Sequence, residues 1–352
     1  MQRIADGSQG SRNRPLFEKG VCSFMKVLLV GAGAVGQIYG WHLQQAGVQI
    51  AYLIKDKYAM AMRRGLTLYG LNRDQPWEAI PFYGYETLQD VSEVRKQRWD
   101  QVWLCVSSTA LKGDWLPRLL DATGDATIVS LQPGLEDQRY LKRHVGCDRL
   151  VTGLIGFIAY QAPLKREPVE RVGTAFYFPP FISSMFSGPK APVKQLIDSL
   201  KMSRLPCRKV DHVAVRMARA SAVLMPMIVG LEASGWSLKR FRSSETLSLA
   251  CSAAREAQVV VAHYHGVRPA ALRYLVRGWL FTLGIMIAPR LVPFPLETYL
   301  KIHFTKVREQ SQSMLKSYQK TAEESSCDHD ALTQLYTDVF QDWPENPGKM
   351  DD

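Results

Sequence analysis

The feature that most restricts how this chain can fold lies between Lys26 and Gly47, where the apolar run KVLLV is followed at once by GAGAVG and a helical pattern that stops at Gly47. A short apolar run closing on glycine reads as a buried parallel strand. Gly31, Gly33 and Gly36 fall in GxGxxG spacing at the turn from that strand into the helix, the context that gives the motif its meaning. Each glycine has a mechanical role: Gly31 turns the chain, Gly33 lets the backbone approach a pyrophosphate, and Gly36 lets the helix lie close to the strand. The N–H groups of the first helical turn then face the phosphates. Strand character returns in VQIAYLI at 48–54, so the segment is one βαβ unit. The loop residues Gly31, Ala32, Gly33, Ala34, Val35, Gly36 and Gln37 are therefore expected to contact a dinucleotide.

The end of the second strand decides between NAD and NADP, because an acidic residue there takes the ribose 2′-hydroxyl and a basic one a 2′-phosphate. Lys55 is the first residue past VQIAYLI, and Lys57, Arg63 and Arg64 add positive charge nearby. NADPH is the favoured cofactor, and Asp56 keeps NAD as the alternative.

Further buried strands are expected at 101–108, 126–134, 149–160, 173–180 and 183–188, with a helix at 193–202 and a short strand at 207–210. From Asp211 the texture becomes helical, with segments at 212–234, 245–265, 269–288 and 296–324 broken at Gly235, Gly266 and Pro289. The expected fold class is α/β: an N-terminal Rossmann dinucleotide-binding domain over 25–210, then an all-helical domain over 211–345. Residues 1–24 read as a flexible extension, Met25 as a natural first residue, and 346–352 as a solvated tail.

Composition narrows the partners. The chain has 352 residues, 46% of them hydrophobic and 22% charged, an ordinary globular balance with room for two cores. The net charge of +11 attracts anions, but the basic residues are spread out with no run of five, which argues against nucleic acid. The six cysteines show no CxxC pairing and no metal-ligand spacing, so no metal site is expected and the scatter suits reduced thiols in a cytoplasmic protein. The longest apolar run, GWLFTLGIMIAP at 278–289, is shorter than the ~20 residues of a membrane span and reads as a buried helix of the second domain.

MKVLLVGAGAVGQIYGWHLQQAG resembles the N-terminus of ketopantoate reductases, including the glutamine after the last motif glycine, Gln37. Lys55 falls where that family carries its 2′-phosphate-reading arginine. The likeness runs on through LQPG at 131–134, similar to the family's LQNG turn, and into AVLMPMIVGL at 222–231, similar to its NP-containing helix. The resemblance implies a Rossmann domain followed by a helical domain, and NADP-dependent interconversion of a ketone and an alcohol. It also implies that Ser107, Ser108, Pro133 and Gly134 lie beside the cofactor, Ser108 standing near the position of a family lysine.

The implied catalytic residues depart from the family. Its LQNG asparagine falls on Pro133, its substrate-binding lysine on Met217 and that lysine's asparagine partner on Ser221. Only the acid of its TE motif finds a match, Glu297 in PLETYLKIHF, and Glu297 is the catalytic candidate. Met217 cannot supply the proton that a developing alkoxide needs, and the flanking Arg216 and Arg219 suit a carboxylate clamp better than a general acid. Glu297 and Lys301 are also spaced for a plain i,i+4 surface pair. Asp211 beside His212 reads as a helix N-cap. Two functions stay open. One is an NADPH-dependent oxidoreductase acting on a small, anionic keto substrate other than ketopantoate. The other is a non-catalytic NADP-binding sensor or assembly protein. No membrane span is expected, and a homodimer is compatible with either reading.

Overall fold

The structure, a computed structural model, describes residues 25–341, so the expectations for 1–24 and 346–352 lie outside the described residues. Among the described residues, twelve strands form two sheets. In chain order they are β1 (Lys26–Val30), β2 (Gln49–Leu53), β3 (Leu66–Gly70), β4 (Ile80–Phe82), β5 (Glu86–Leu88) and β6 (Gln101–Leu104). There follow β7 (Thr127–Ser130), β8 (Leu150–Leu154), β9 (Ile158–Ala162), β10 (Gly173–Tyr177), β11 (Ser184–Ser187) and β12 (Cys207–Lys209). The main sheet has the order β12-β11-β8-β7-β6-β1-β2-β5. All its neighbours are parallel except β8 and β11. From β1 the chain goes out to β2 on one side and later returns to β6 on the other. That reversal opens a crevice at the carboxyl ends of β1 and β6, where doubly wound sheets bind ligands.

Val27, Leu29 and Trp103 point to one face of this sheet, and Leu28, Val30, Val102 and Leu104 to the other, so both faces carry apolar cores. Such two-sided burial explains the continuous apolar runs of the parallel strands. The expected strand at 149–160 is two strands in different sheets. The chain breaks at Gly156, where a side chain would stand 2.2 Å from the backbone of Ser183 and Ser184. Residues 101–108 yield strand only as far as Leu104, because Ser107 caps a short helical turn at Ser108–Leu111.

The second sheet, β4-β3-β10-β9, lies beside the first. Along β10 the side chains alternate: Phe176 joins the core of the main sheet, while Ala175 and Tyr177 turn to a separate cluster with Tyr69, Tyr160 and Phe294.

After β12 the chain is helical from Val213. Helices Val213–Ala233, Glu245–Tyr264, Arg308–Glu324 and Asp330–Phe340 enclose a core around Ala222, Val229, Ala254, Leu315 and Leu335. The Val213–Ala233 helix alone among the described residues is long and apolar enough to cross a bilayer, yet 61% of its apolar window is buried in this core. Its first turn is held by the Ser187 hydroxyl, which accepts the Val213 N–H at 3.2 Å, so Asp211 is not the cap. The segment 296–324 is two helices broken at Val307. Residues 269–288 comprise a 3-10 turn at Ala271–Leu275 and a helix at Gly278–Leu291 that contains Pro289 rather than stopping at it. The apolar run at 278–289 was expected to be buried, but no residue of the Gly278–Leu291 helix is.

His42, on the helix Ala34–Gln45, packs against Phe176 and Phe178, with Nδ1 3.1 Å from the Ser203 carbonyl oxygen. Burial pushes its pKa down from 6.5 to about 4, against the opposing effect of the Ser203 bond. A base neutral in the fold and protonated when unfolded stabilises the protein above pH 6.5 and loses that contribution as pH falls toward about 4. At ~1.4 kcal/mol per pKa unit the loss is about 3 kcal/mol. Urea unfolding of His42→Leu should show a shallower decline over this window than the parent protein, whatever its stability at neutral pH.

Candidate dinucleotide site

The glycine loop crosses the carboxyl edge of β1. Gly31 has φ +94°, and its N–H donates to the Leu53 carbonyl at 2.9 Å, tying the turn to β2. A Cβ on Gly36 would stand 2.6 Å from the Gly31 oxygen and 3.2 Å from Cys105 Cβ, so this glycine permits the close contact between helix and strand. The partly buried Cys105, which walls the turn, has its thiol pKa pushed up to about 12 by desolvation.

Gly33 differs from its two neighbours in the motif. It is exposed, has an ordinary φ of −67°, and a Cβ there would meet nothing within 4 Å. The protein's own packing gives no reason for glycine at this position, whereas a phosphate resting on the backbone does. Ala32, Ala34 and Val35 back the loop by packing on the core of the main sheet. Gln37 braces it from below: its amide donates to the Ala32 carbonyl at 2.9 Å and its carbonyl accepts the Thr174 hydroxyl of β10 at 2.6 Å.

Lys55 is exposed two residues beyond β2 and immediately precedes the 3-10 turn Asp56–Tyr58. Ser107 is partly buried and its hydroxyl caps the turn that follows it, accepting from Ala110 N at 3.3 Å. Ser108 is buried, and its N–H donates to Gln310 Oε1 at 3.3 Å. The Ser108 hydroxyl approaches the Asp137 carboxyl without meeting the geometry of a regular hydrogen bond, and remains an unpaired buried group beside the crevice. Pro133 is half-buried. Gly134 is buried and its N–H donates to Asp137 Oδ2 at 3.0 Å, so it offers no free donor to a ligand. Burial raises the pKa of Asp137, opposed by Ser108, the Gly134 N–H and Lys112.

Residues not singled out from the sequence hold this edge together. Gln132 donates to the carbonyls of Leu104 and Val106, both at 2.8 Å, and accepts from Ser130 and Leu131, joining the ends of β6 and β7. Gln138 extends the network to Ser130 and Thr152. The helical part closes over the same edge through Gln310 and through Tyr264, whose hydroxyl donates to the Leu135 carbonyl at 3.1 Å. The sequence signal for Gln132 was the LQPG turn itself. Gln310 had none, because it lies 202 positions from Ser108.

Glu297, the catalytic candidate, meets a helix end. Its carboxylate accepts the Leu238 N–H at 2.8 Å, capping the helix Leu238–Arg242. It borders a hollow of about 590 Å³ walled entirely by residues between 238 and 298, with no residue of the glycine loop. Among the described residues it forms no ion pair with Lys301. Met217 is buried in the Val213–Ala233 helix, and nothing at that position can donate a proton.

A mainly parallel sheet with a glycine turn at its switch point, covered by a helical second part, is a Rossmann-type α/β fold. Residues 27–166 match the model of the ketopantoate reductase PanE/ApbA family, a match consistent with a divergent member. No curated protein matches it by sequence. Its fold is similar to that of 2-dehydropantoate 2-reductase from Geobacter metallireducens GS-15, at TM-score 0.68 and 16% identity over 90% of this chain and 99% of that one. A PanE/ApbA family ketopantoate reductase from Ralstonia eutropha JMP134 gives TM-score 0.67 and 18% identity over 90% and 97%. D-mandelate dehydrogenase, solved with NADH and anilino(oxo)acetate, gives 0.65 and 14% over 90% and 97%.

Two substitutions separate packing from ligand contact. Gly36→Ala forces its methyl against the Gly31 carbonyl and should cost about 1–3 kcal/mol of stability. Gly33→Ala should leave the melting temperature unchanged but weaken dinucleotide binding roughly tenfold or more, the worth of one charge-assisted N–H bond to phosphate. Calorimetry with both proteins checks this. Unaltered affinity in Gly33→Ala would show that the loop does not carry the phosphates.

Proposed function

We propose that this chain holds NADPH on the Gly31–Gly36 loop and reduces the keto group of a small anionic substrate, in the manner of 2-dehydropantoate 2-reductases. One observation carries the reading: Gly31 and Gly36 are required by the protein's own contacts, while Gly33 stands open where only a ligand calls for glycine. Ala32, Ala34 and Val35 complete the cradle for the pyrophosphate, with the first-turn N–H groups as donors. Gln37 keeps the loop in place from its two bonds. Lys55 reads the 2′-phosphate, and Asp56 next to it leaves NAD as the weaker ligand. Ser107, Ser108 and Pro133 border the nicotinamide half.

Bound NADPH would supply the hydride. The chain's own part is to hold the substrate, exclude water and provide a proton. Arg216, exposed on the Val213–Ala233 helix, is suited to holding a carboxylate, and the net charge of +11 draws anions toward the body. With methionine at 217 in place of the family's proton-handling lysine and proline at 133 in place of its substrate-holding asparagine, ketopantoate itself is not the proposed substrate.

A second reading, an NADP-binding protein without turnover, is favoured by one observation: Glu297, the one acid matching the family's set, is occupied in capping a helix away from the glycine loop. Fluorescence titration and a screen of keto acids distinguish the two. NADPH should bind more tightly than NADH, and Lys55→Ala should remove most of the difference. Equal affinities in the parent protein exclude the NADPH assignment. Turnover of a keto acid other than ketopantoate supports the reductase. Tight NADPH binding with no keto acid consumed selects the second reading.

A further inference from the structure

The Gly278–Leu291 helix is held by one stripe and shows another. Phe281 and Ile285 pack on the helical core, whereas Trp279, Leu283, Met286, Ile287 and Leu291 are 65%, 49%, 44%, 42% and 68% exposed. Their spacing puts all five on one side of the helix. Tyr274 and Leu275 at one end, with 58% and 56% exposure, carry the apolar surface past the helix. A continuous patch of this kind marks a contact surface rather than ordinary exposure.

The charges around the patch are of one sign. From Gly266 to Lys306 the chain carries Arg268, Arg273, Arg277, Arg290, Lys301 and Lys306 against one carboxylate, Glu297, which is committed to the Leu238 N–H. Arg277 Nε donates to the Tyr274 carbonyl at 3.0 Å and Arg290 to the Met286 carbonyl at 2.7 Å, so both guanidinium groups lie along the patch. Among the described residues, neither they nor Arg273 forms an ion pair with a carboxylate. Lys239 and Arg242 face the same helix across the hollow that Met286 and Arg290 line.

We propose that this face docks the protein on an anionic lipid bilayer, with the Gly278–Leu291 helix lying in the membrane surface. The apolar stripe enters the acyl boundary, Tyr274 and Trp279 sit at headgroup depth, and the arginines meet lipid phosphates. Fourteen residues make a helix of about 21 Å, too short to span. The next helix, Leu296–Lys306, turns away by 103°, so the two do not make one straight span. A second copy of this chain is a poorer occupant. A twofold contact through this face sets each cationic rim against its own like.

Flotation of the full-length protein with vesicles tests the assignment. It should float with phosphatidylcholine vesicles containing phosphatidylglycerol and stay behind with phosphatidylcholine alone, and high salt should weaken the binding. Leu283→Glu with Met286→Glu should abolish flotation, and Arg273→Glu with Arg277→Glu should lower it at least about tenfold. All four side chains lie outside the cores, so melting temperature and NADPH affinity should be retained. No flotation, or equal flotation on neutral vesicles, overturns the proposal. So does a concentration-dependent dimer in light scattering that Leu283→Glu dissolves, since the face would then be covered by a second copy.

Discussion

The turn at the end of β1 fixes the rest of the Rossmann-type half. Its helix can leave the sheet edge only if Gly31 takes a left-handed conformation and Gly36 lies almost against the Gly31 carbonyl. Once that contact is made, Tyr39 and Leu43 on the helix are delivered into the core under β1, with Tyr39 5.0 Å from Phe157 and hydrogen-bonded to Ser184. The same contact turns the first-turn N–H groups outward over the crevice between β1 and β6. A sub-ångström limit on one Cβ thus positions both a core and a candidate phosphate site.

A buried amide network does comparable work on the far side of the crevice. Parallel strands end in carbonyls that point past the sheet, and these need partners when a second domain covers them. Gln132 satisfies two of them and Gln138 links the next strand, so β6, β7 and β8 finish in register. Replacing such an amide with an apolar side chain would leave several buried groups unpaired at once, which is why its cost exceeds that of any single bond.

How much was legible in the sequence depended on the range of the interactions involved. The β1–helix–β2 unit is local, and KVLLV, GAGAVG and VQIAYLI suffice to place it. The second sheet was missed because β3 and β4 are strands of five and three residues, and the pairing of β3 with β10 joins positions about a hundred residues apart. Gly156 divided a run that reads as one strand, for a steric reason supplied by Ser183 and Ser184. At the site, the glycines could be read because their roles are conformational and local. The contact of Glu297 with Leu238 could not be read, because a motif match carries no information about which helix end the carboxylate will meet. The apolar run at 278–289 misled for a related reason: hydrophobicity fixes what a helix can contact, not which of its faces the fold covers.

The bond from Gln37 to Thr174 has a consequence for cooperativity. Thr174 belongs to β10, whose opposite side holds Phe294, and Tyr177 at the end of the same strand donates to the Leu291 carbonyl. The glycine loop, the small sheet and the segment from Leu291 to Phe294 therefore form one mechanical chain, with a hydrogen bond at each end and a packed aromatic layer between. Elements tied in this way tend to open as one cooperative unit. A ligand that steadies the loop would raise the free energy for opening the distant segment, and by reciprocity whatever grips that segment would tighten the loop's hold on its ligand by the same factor.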